Sequence, residues 1–191
     1  MKKNLLALLM LLVVLALWGK SPTEVIEKAF ALENGDIKQA YKIMKQAKKD
    51  YPDNPDVLSV YGYMAGFEAK ETNMFRALML VNSAISAFDK ALEIEKDHKN
   101  ARLWRGILKI NLPSFLGKVP DGIDDLEIIL QREDLTLEEN MQSKFFLAMG
   151  YNKTEQYEKA IAYYDEVIII NIDEVYVEQS KMRIERILSR E

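Results

Sequence analysis

The sequence predicts an all-α fold of stacked helix pairs, and three observations carry that prediction. From Ser21 onward, apolar residues recur three and four apart, as at Leu126, Ile129 and Leu130 or at Ile161, Tyr164 and Ile168. That is the spacing of one helix face. No stretch alternates apolar and polar residues between turn signals, as a half-buried strand would. Finally, one figure returns along the chain: a small residue, a bulky one four later, a small one three later. It reads Ala40, Met44, Ala47, then Ala84, Phe88, Ala91, then Ala160, Tyr164, Val167, with a degenerate copy at Gly122, Leu126, Ile129. The first positions lie 44, 38 and 38 residues apart. A second mark, Gly62, Gly106 and Ala148, falls on the preceding helices. A small residue on one helix lets its partner approach, and the bulky residue fills the groove behind it.

Taken in chain order, residues 1–19 stand apart from the fold. Lys2 and Lys3 precede an apolar run of 14 residues, 5–18, whereas a membrane-spanning helix needs about 20. A basic start and an apolar stretch of that length read as a secretory signal. Leu17 and Gly19 make a poor small-residue cleavage pair, so an uncleaved N-terminal anchor and a cytosolic core helix stay open beside it. Residues 20–191 form the helical domain. The first unit, 22–54, turns at Asn34, Gly35 and Asp36 and ends in the break at 50–55. The second, 55–98, carries an insertion at 68–83 that continues the helical pattern through Met74, Ala77, Leu78, Val81 and Ile85. Its second helix is expected over about 73–96, with Thr72 or Asn73 as N-cap. The third, 99–136, is interrupted by the segment 112–120, which holds two prolines. The fourth, 137–172, ends in the β-branched run Val167 to Ile170, kept helical because it continues a pattern begun at Tyr157. Residues 173–191 are expected to be a capping helix.

This pattern resembles the tetratricopeptide repeat (TPR), a helix-turn-helix unit of about 34 residues. Gly35, Asp36, Ala40, Ala47 and Pro52 carry the likeness in the first unit, and Leu147, Ala148, Tyr151, Tyr157, Ala160 and Tyr164 in the last. The resemblance covers roughly residues 22–172 and implies a right-handed α-solenoid of about four hairpins plus the terminal cap. It also implies an interaction scaffold whose concave face binds a partner peptide or helix. Projected inward positions are Ser59, Tyr63, Asn100, Leu103, Ile107, Gln142, Phe145, Met149 and Asn152. The departures matter too. Glu24, Leu58, Arg102 and Lys144 replace the usual aromatic early in each first helix. Trp104 sits two residues from the expected aromatic position and is read as a core anchor from a rotated helix. The two insertions lie at the same turn of adjacent units, so their residues Met74, Phe115 and Leu116 are expected to pack together or to form a second binding edge.

Composition excludes much else. There is no Cys and one His among 191 residues, which removes disulfides, thiol chemistry and a His-rich metal cage. His98, in a polar connecting segment, is expected to be a solvated loop residue. Residues 20–191 carry 24 basic and 30 acidic side chains, a poor general ligand for nucleic acid. Gly19, Lys20 and Ser21 resemble the tail of a phosphate loop but lack its upstream glycine and strand. Asp124 and Asp125 are adjacent, so on a helix they diverge. The expectation is a non-catalytic, exported protein of the bacterial cell envelope, with a protein or peptide partner, no cofactor, no metal, no nucleic acid, and membrane contact only through residues 1–19. The alternative from another class is a solute- or lipid-binding accessory protein, with an apolar pocket enclosed by Trp104, Phe115 and Phe145.

Overall fold

The computed structural model describes residues 21–189; the signal or anchor expected over residues 1–19 lies outside the described residues. Among the described residues nine α-helices follow one another: α1 Pro22–Phe30, α2 Ile37–Asp50, α3 Pro55–Lys70, α4 Met74–Ile94, α5 Lys99–Asn111, α6 Val119–Leu130, α7 Leu137–Lys153, α8 Tyr157–Ile170 and α9 Glu174–Leu188. A short 3-10 turn, Ser114–Leu116, precedes α6, and no strand occurs among the described residues. Side chains start most of the helices by accepting hydrogen bonds from otherwise unpaired backbone N–H groups. Ser21 and Thr136 form reciprocal capping boxes with Glu24 and Glu139, and Asp36, Asn54, Asn73 and Asp173 cap α2, α3, α4 and α9. The β-branched run stays helical to Ile170, where Asn171 takes the left-handed conformation (φ 48°) that closes α8.

Consecutive helices pack as antiparallel neighbours, and each first helix also meets the first helix of the next pair: α3 touches α5, and α5 touches α7. The small-residue marks set this spacing. A Cβ built on Gly62 would stand 2.7 Å from the Phe88 ring, and one on Gly106 would stand 2.9 Å from Leu126. The bulky member of each recurring figure therefore fills the space the glycine leaves. Two apolar cores result. One is built from α1 to α4 and includes Met44, Leu58, Met64 and Phe88; the other, from α5 to α9, includes Leu126, Met141, Phe145 and Tyr164. Helix α5 serves both, giving Ala101 to the first and Leu103 and Ile110 to the second.

Polar ties cross the same junction. Asp125 on α6 is 3% exposed and accepts from Arg105 Nε at 2.8 Å and Arg105 Nη2 at 2.6 Å, while Arg105 Nη1 reaches Asp89 on α4 at 2.6 Å. Lys109, also buried, stands 3.3 Å from the same carboxylate. The adjacent aspartates do diverge: Asp124 is exposed and Asp125 is enclosed.

His98 departs from expectation. It is 6% exposed, not solvated; Nδ1 accepts from the Ala101 N–H and caps α5, while Nε2 lies 3.1 Å from Asp56 at the start of α3. Because Nδ1 is the acceptor, the neutral ring carries its proton on Nε2 and donates it to Asp56. The burial depends on a carboxylate 42 positions earlier in the chain, so the local polar segment gave no sign of it.

Glu139 links α7 to α5. Partial burial opposes its ionisation, but the Thr136 N–H at 2.8 Å and the Lys99 ammonium at 2.9 Å together hold its carboxyl below the ordinary 4.5. A folded pKa below the unfolded one means stability that is present above pH 4.5 and is lost as pH falls through the folded value. Glu139→Gln is expected to lower stability at pH 7 and to flatten the acid limb of a stability-against-pH curve measured by urea unfolding. An unchanged acid limb would contradict this role.

Candidate functional site

A groove of about 290 Å³ opens along the inner faces of the first helices. Helix α3 supplies Gly62, Tyr63, Gly66, Phe67 and Lys70, and α5 supplies Trp104, Ile107, Leu108 and Asn111. Gln142 and Phe146 come from α7, and Tyr176 from the terminal helix α9. The helical period explains the sets: residues four and three apart on α3 and on α5 share a face.

Aromatic rings dominate. The Tyr63 centroid lies 4.6 Å from Trp104 and 4.8 Å from Phe67, with the planes tilted by 40° and 48°. Phe30 of α1 supports Tyr63 and Trp104 from 6.0 and 6.4 Å. Across the groove, Phe146 meets Tyr176 edge to face at 6.4 Å. The Tyr63 hydroxyl donates to Glu33 in the α1–α2 turn, which fixes the ring. Burial first, and then the Glu33 carboxylate, push the Tyr63 phenol well above its ordinary value, so it stays neutral. Lys70, whose ammonium lies 4.4 Å from the Phe67 centroid, is the one lining residue charged at neutral pH among the described residues.

The residues projected from sequence divide into three groups. Tyr63, Ile107 and Gln142 line the groove. Ser59, Leu103 and Phe145 do not: they are 1%, 2% and 2% exposed. Ser59 donates to the Asp56 carbonyl, while Leu103 and Phe145 belong to the second core. Asn100, Met149 and Asn152 are half-buried and lie outside the groove lining; Met149 packs against the second core. The physical reason is a small rotation of α5 and α7, less than one residue, so that Ile107 and Gln142 keep their projected places while Leu103 and Phe145 turn to the second core. Trp104 and Phe146 hold the groove positions that projection gave to Leu103 and Phe145. Trp104 is thus a groove wall as well as a core anchor. Its displacement from the usual aromatic position was the available signal of that rotation. Tyr176 comes from the terminal helix: the repeat pattern leaves open whether that cap closes the groove and does not single out which of its residues reaches it.

At the insertions, Asn73 caps a long α4 as expected, but the two segments do not seal each other. Met74 is 74% exposed and Phe115 80% exposed, with Phe75 and Met79 also in solvent. Of Met74, Phe115 and Leu116, only Leu116 turns inward, against the first core, to which Leu80, Val81 and Leu112 of the same segments also belong. Gly117, at φ +66°, turns the chain from the 3-10 segment toward α6. The pocket expected from Trp104, Phe115 and Phe145 is not formed, since Phe115 points to solvent and Phe145 is core.

No family model matches the chain, and no curated protein matches it. Solved structures do. A thermophilic TPR protein of Thermus thermophilus superposes with a TM-score of 0.67 at 18% identity, over 88% of this chain and 82% of that one. MamA MSR-1 gives 0.56 at 17% identity, over 80% and 78%. MamA from Desulfovibrio magneticus RS-1 gives 0.55 at 15% identity, over 88% and 97%. At such identities the likeness speaks for architecture. The chain has the tetratricopeptide-repeat fold, an all-α helical solenoid.

Proposed function

We propose that this protein is a non-catalytic adaptor of the bacterial cell envelope that holds a partner protein segment in the aromatic groove. One observation carries the reading: the rings of Tyr63, Phe67, Trp104, Phe146 and Tyr176, from four different helices, converge on one groove whose described lining has a single charged residue. Such a surface gains by burying an apolar segment. It offers no carboxylate, imidazole or paired nucleophile and base to a substrate. The TPR fold supports a role in protein–protein interaction. The envelope location rests on the basic start and apolar run of residues 1–19.

A photo-reactive phenylalanine analogue placed at Ile107 tests the groove against the same probe at Ser86, which is exposed on α4. In envelope extract the groove probe is expected to yield a discrete protein adduct that Tyr63→Ala removes, and the Ser86 probe to yield none. Equal labelling from both positions overturns the groove as binding site. Recovery of the protein in the cytosol with Met1 intact overturns the envelope assignment.

A further inference from the structure

The chemistry of the groove narrows the kind of segment it receives. This step rests on the reading of the groove as a binding site. Charge is the first filter: with no carboxylate and one ammonium in the described lining, neither a basic nor a strongly acidic segment finds compensation for its desolvation. Backbone is the second. Strand addition needs an unpaired sheet edge, and the described residues contain no strand. An α-helical partner and a polyproline II partner remain.

The polar atoms of the groove separate these two. The Trp104 indole N–H and the Tyr176 hydroxyl have no hydrogen-bond partner among the described residues, and neither is sealed from solvent: the buried unpaired side-chain atoms are those of Asn152, Tyr164 and Ser180. Burial first, and then the Asp173 and Glu138 carboxylates, push the Tyr176 phenol up, so it keeps its proton. One amide N–H of Asn111 is given to the Ile107 carbonyl and one of Gln142 to Glu138, which leaves each amide a second N–H. What the lining residues offer a ligand is therefore the Trp104 N–H, the Tyr176 O–H and the Lys70 ammonium beside aromatic faces, with the amides of Asn111 and Gln142 as further polar groups. An α-helix has used its carbonyls internally and would leave those donors without partners. A polyproline II segment has no internal hydrogen bonds, turns its carbonyls outward and lays prolyl rings on aromatic faces. Being stiff before it binds, it also loses little conformational entropy.

We infer that the groove lined by Tyr63, Phe67, Trp104, Phe146 and Tyr176 recognises a proline-rich segment in polyproline II conformation, with Trp104 Nε1–H and the Tyr176 O–H donating to its carbonyls. The asparagine and glutamine oxygens accept from the N–H of interspersed non-proline residues.

The chain has two tryptophans, so Trp18→Phe in the full-length protein makes Trp104 the only tryptophan, excited apart from the tyrosines. Three end-blocked ten-residue peptides are titrated: oligoproline, an amphipathic leucine-rich helix, and a glycine-serine repeat. The expected result is a saturable change in Trp104 emission with oligoproline, at an affinity at least about 10-fold above either control. Trp104→Phe, which keeps a ring and removes the donor, is expected to weaken oligoproline binding roughly 3- to 10-fold by calorimetry, the worth of one hydrogen bond. Tyr63→Ala is expected to abolish it, with helicity and melting temperature confirming that both variants fold. A helical peptide that binds as tightly as oligoproline overturns the assignment of ligand class and leaves the groove standing. Failure of all three peptides, with the Ile107 adduct still formed, overturns the class alone; failure of the peptides and of the adduct overturns the groove as well.

Discussion

Replacing Asp125 with alanine is expected to destabilise the protein by about 3–5 kcal/mol, the range for removing one partner from a buried ion pair. The size comes from what is left behind. Asp125 accepts two hydrogen bonds from Arg105, stands 3.3 Å from Lys109 and 3.5 Å from Arg102, and is enclosed between α5 and α6. Without it, Arg105 retains Asp89, which is half-exposed, and Lys109 retains Asp121 at 3.7 Å. Arg102 keeps only the Lys96 carbonyl, so three largely enclosed cations are then left without adequate counter-charge. Asp125→Asn keeps the volume but turns an amide toward a guanidinium, so it should fall between wild type and alanine. Because α5 is shared by both apolar cores, loss at this point is also expected to uncouple them, in the manner of a stack whose stability is a sum of neighbour interfaces. The measurement is urea unfolding followed by circular dichroism, with Arg105→Ala and the double variant closing a cycle. A loss below about 1 kcal/mol for Asp125→Ala would show the cluster to be an exposed-type pair of little consequence.

Some of this architecture is legible in the sequence because it is local. The capping residues Ser21, Asp36, Asn54, Asn73 and Thr136 announce helix starts within a few positions of themselves. The pairing of Gly62 with Phe88 and of Gly106 with Leu126 is readable because a close approach leaves a mark on both helices. The rotation of a helix about its own axis is a different matter. In α5 the adjacent residues Leu103 and Trp104 are both large and apolar, and in α7 so are Phe145 and Phe146. Periodicity locates an apolar stripe to within about one residue, or 100° of arc. A first helix in such a stack has two apolar faces, one toward its partner and one toward the groove. For Leu103 and Trp104 the displaced tryptophan is the one signal of which residue turns to the groove; for Phe145 and Phe146 the sequence holds no such signal. His98 and Tyr176 fail for a second reason. Each is placed by a distant element, Asp56 in one case and the docking of α9 in the other, and neither leaves a local trace.

The pair Phe145 and Phe146 turns that ambiguity into an experiment. Phe145 is fully enclosed, with Tyr176 at 4.8 Å and Tyr164 at 5.9 Å between ring centroids. Phe145→Asp removes a core ring, worth about 3–5 kcal/mol when truncated to alanine, and adds a carboxylate that must be desolvated or protonated. The Arg183 guanidinium, 5.6 Å from the ring centroid, offers some counter-charge but not the lost packing. The expected outcome is a protein whose second core no longer folds cooperatively, seen as lost helicity and early urea unfolding. Phe146 is half-buried at the groove wall, so a carboxylate there keeps its water. Phe146→Asp is expected to cost about 1–2 kcal/mol, in the ordinary range for a partly exposed position, while removing the Ile107 adduct and the oligoproline-induced change in Trp104 emission. Equal destabilisation by the two substitutions would place both rings in the core and erase the groove wall. A folded Phe146→Asp protein that still forms the adduct would mean that the partner touches Ile107 without using the aromatic groove. The two substitutions differ by one position and about 100° of helix, and that angle decides whether the ring serves the core or the groove.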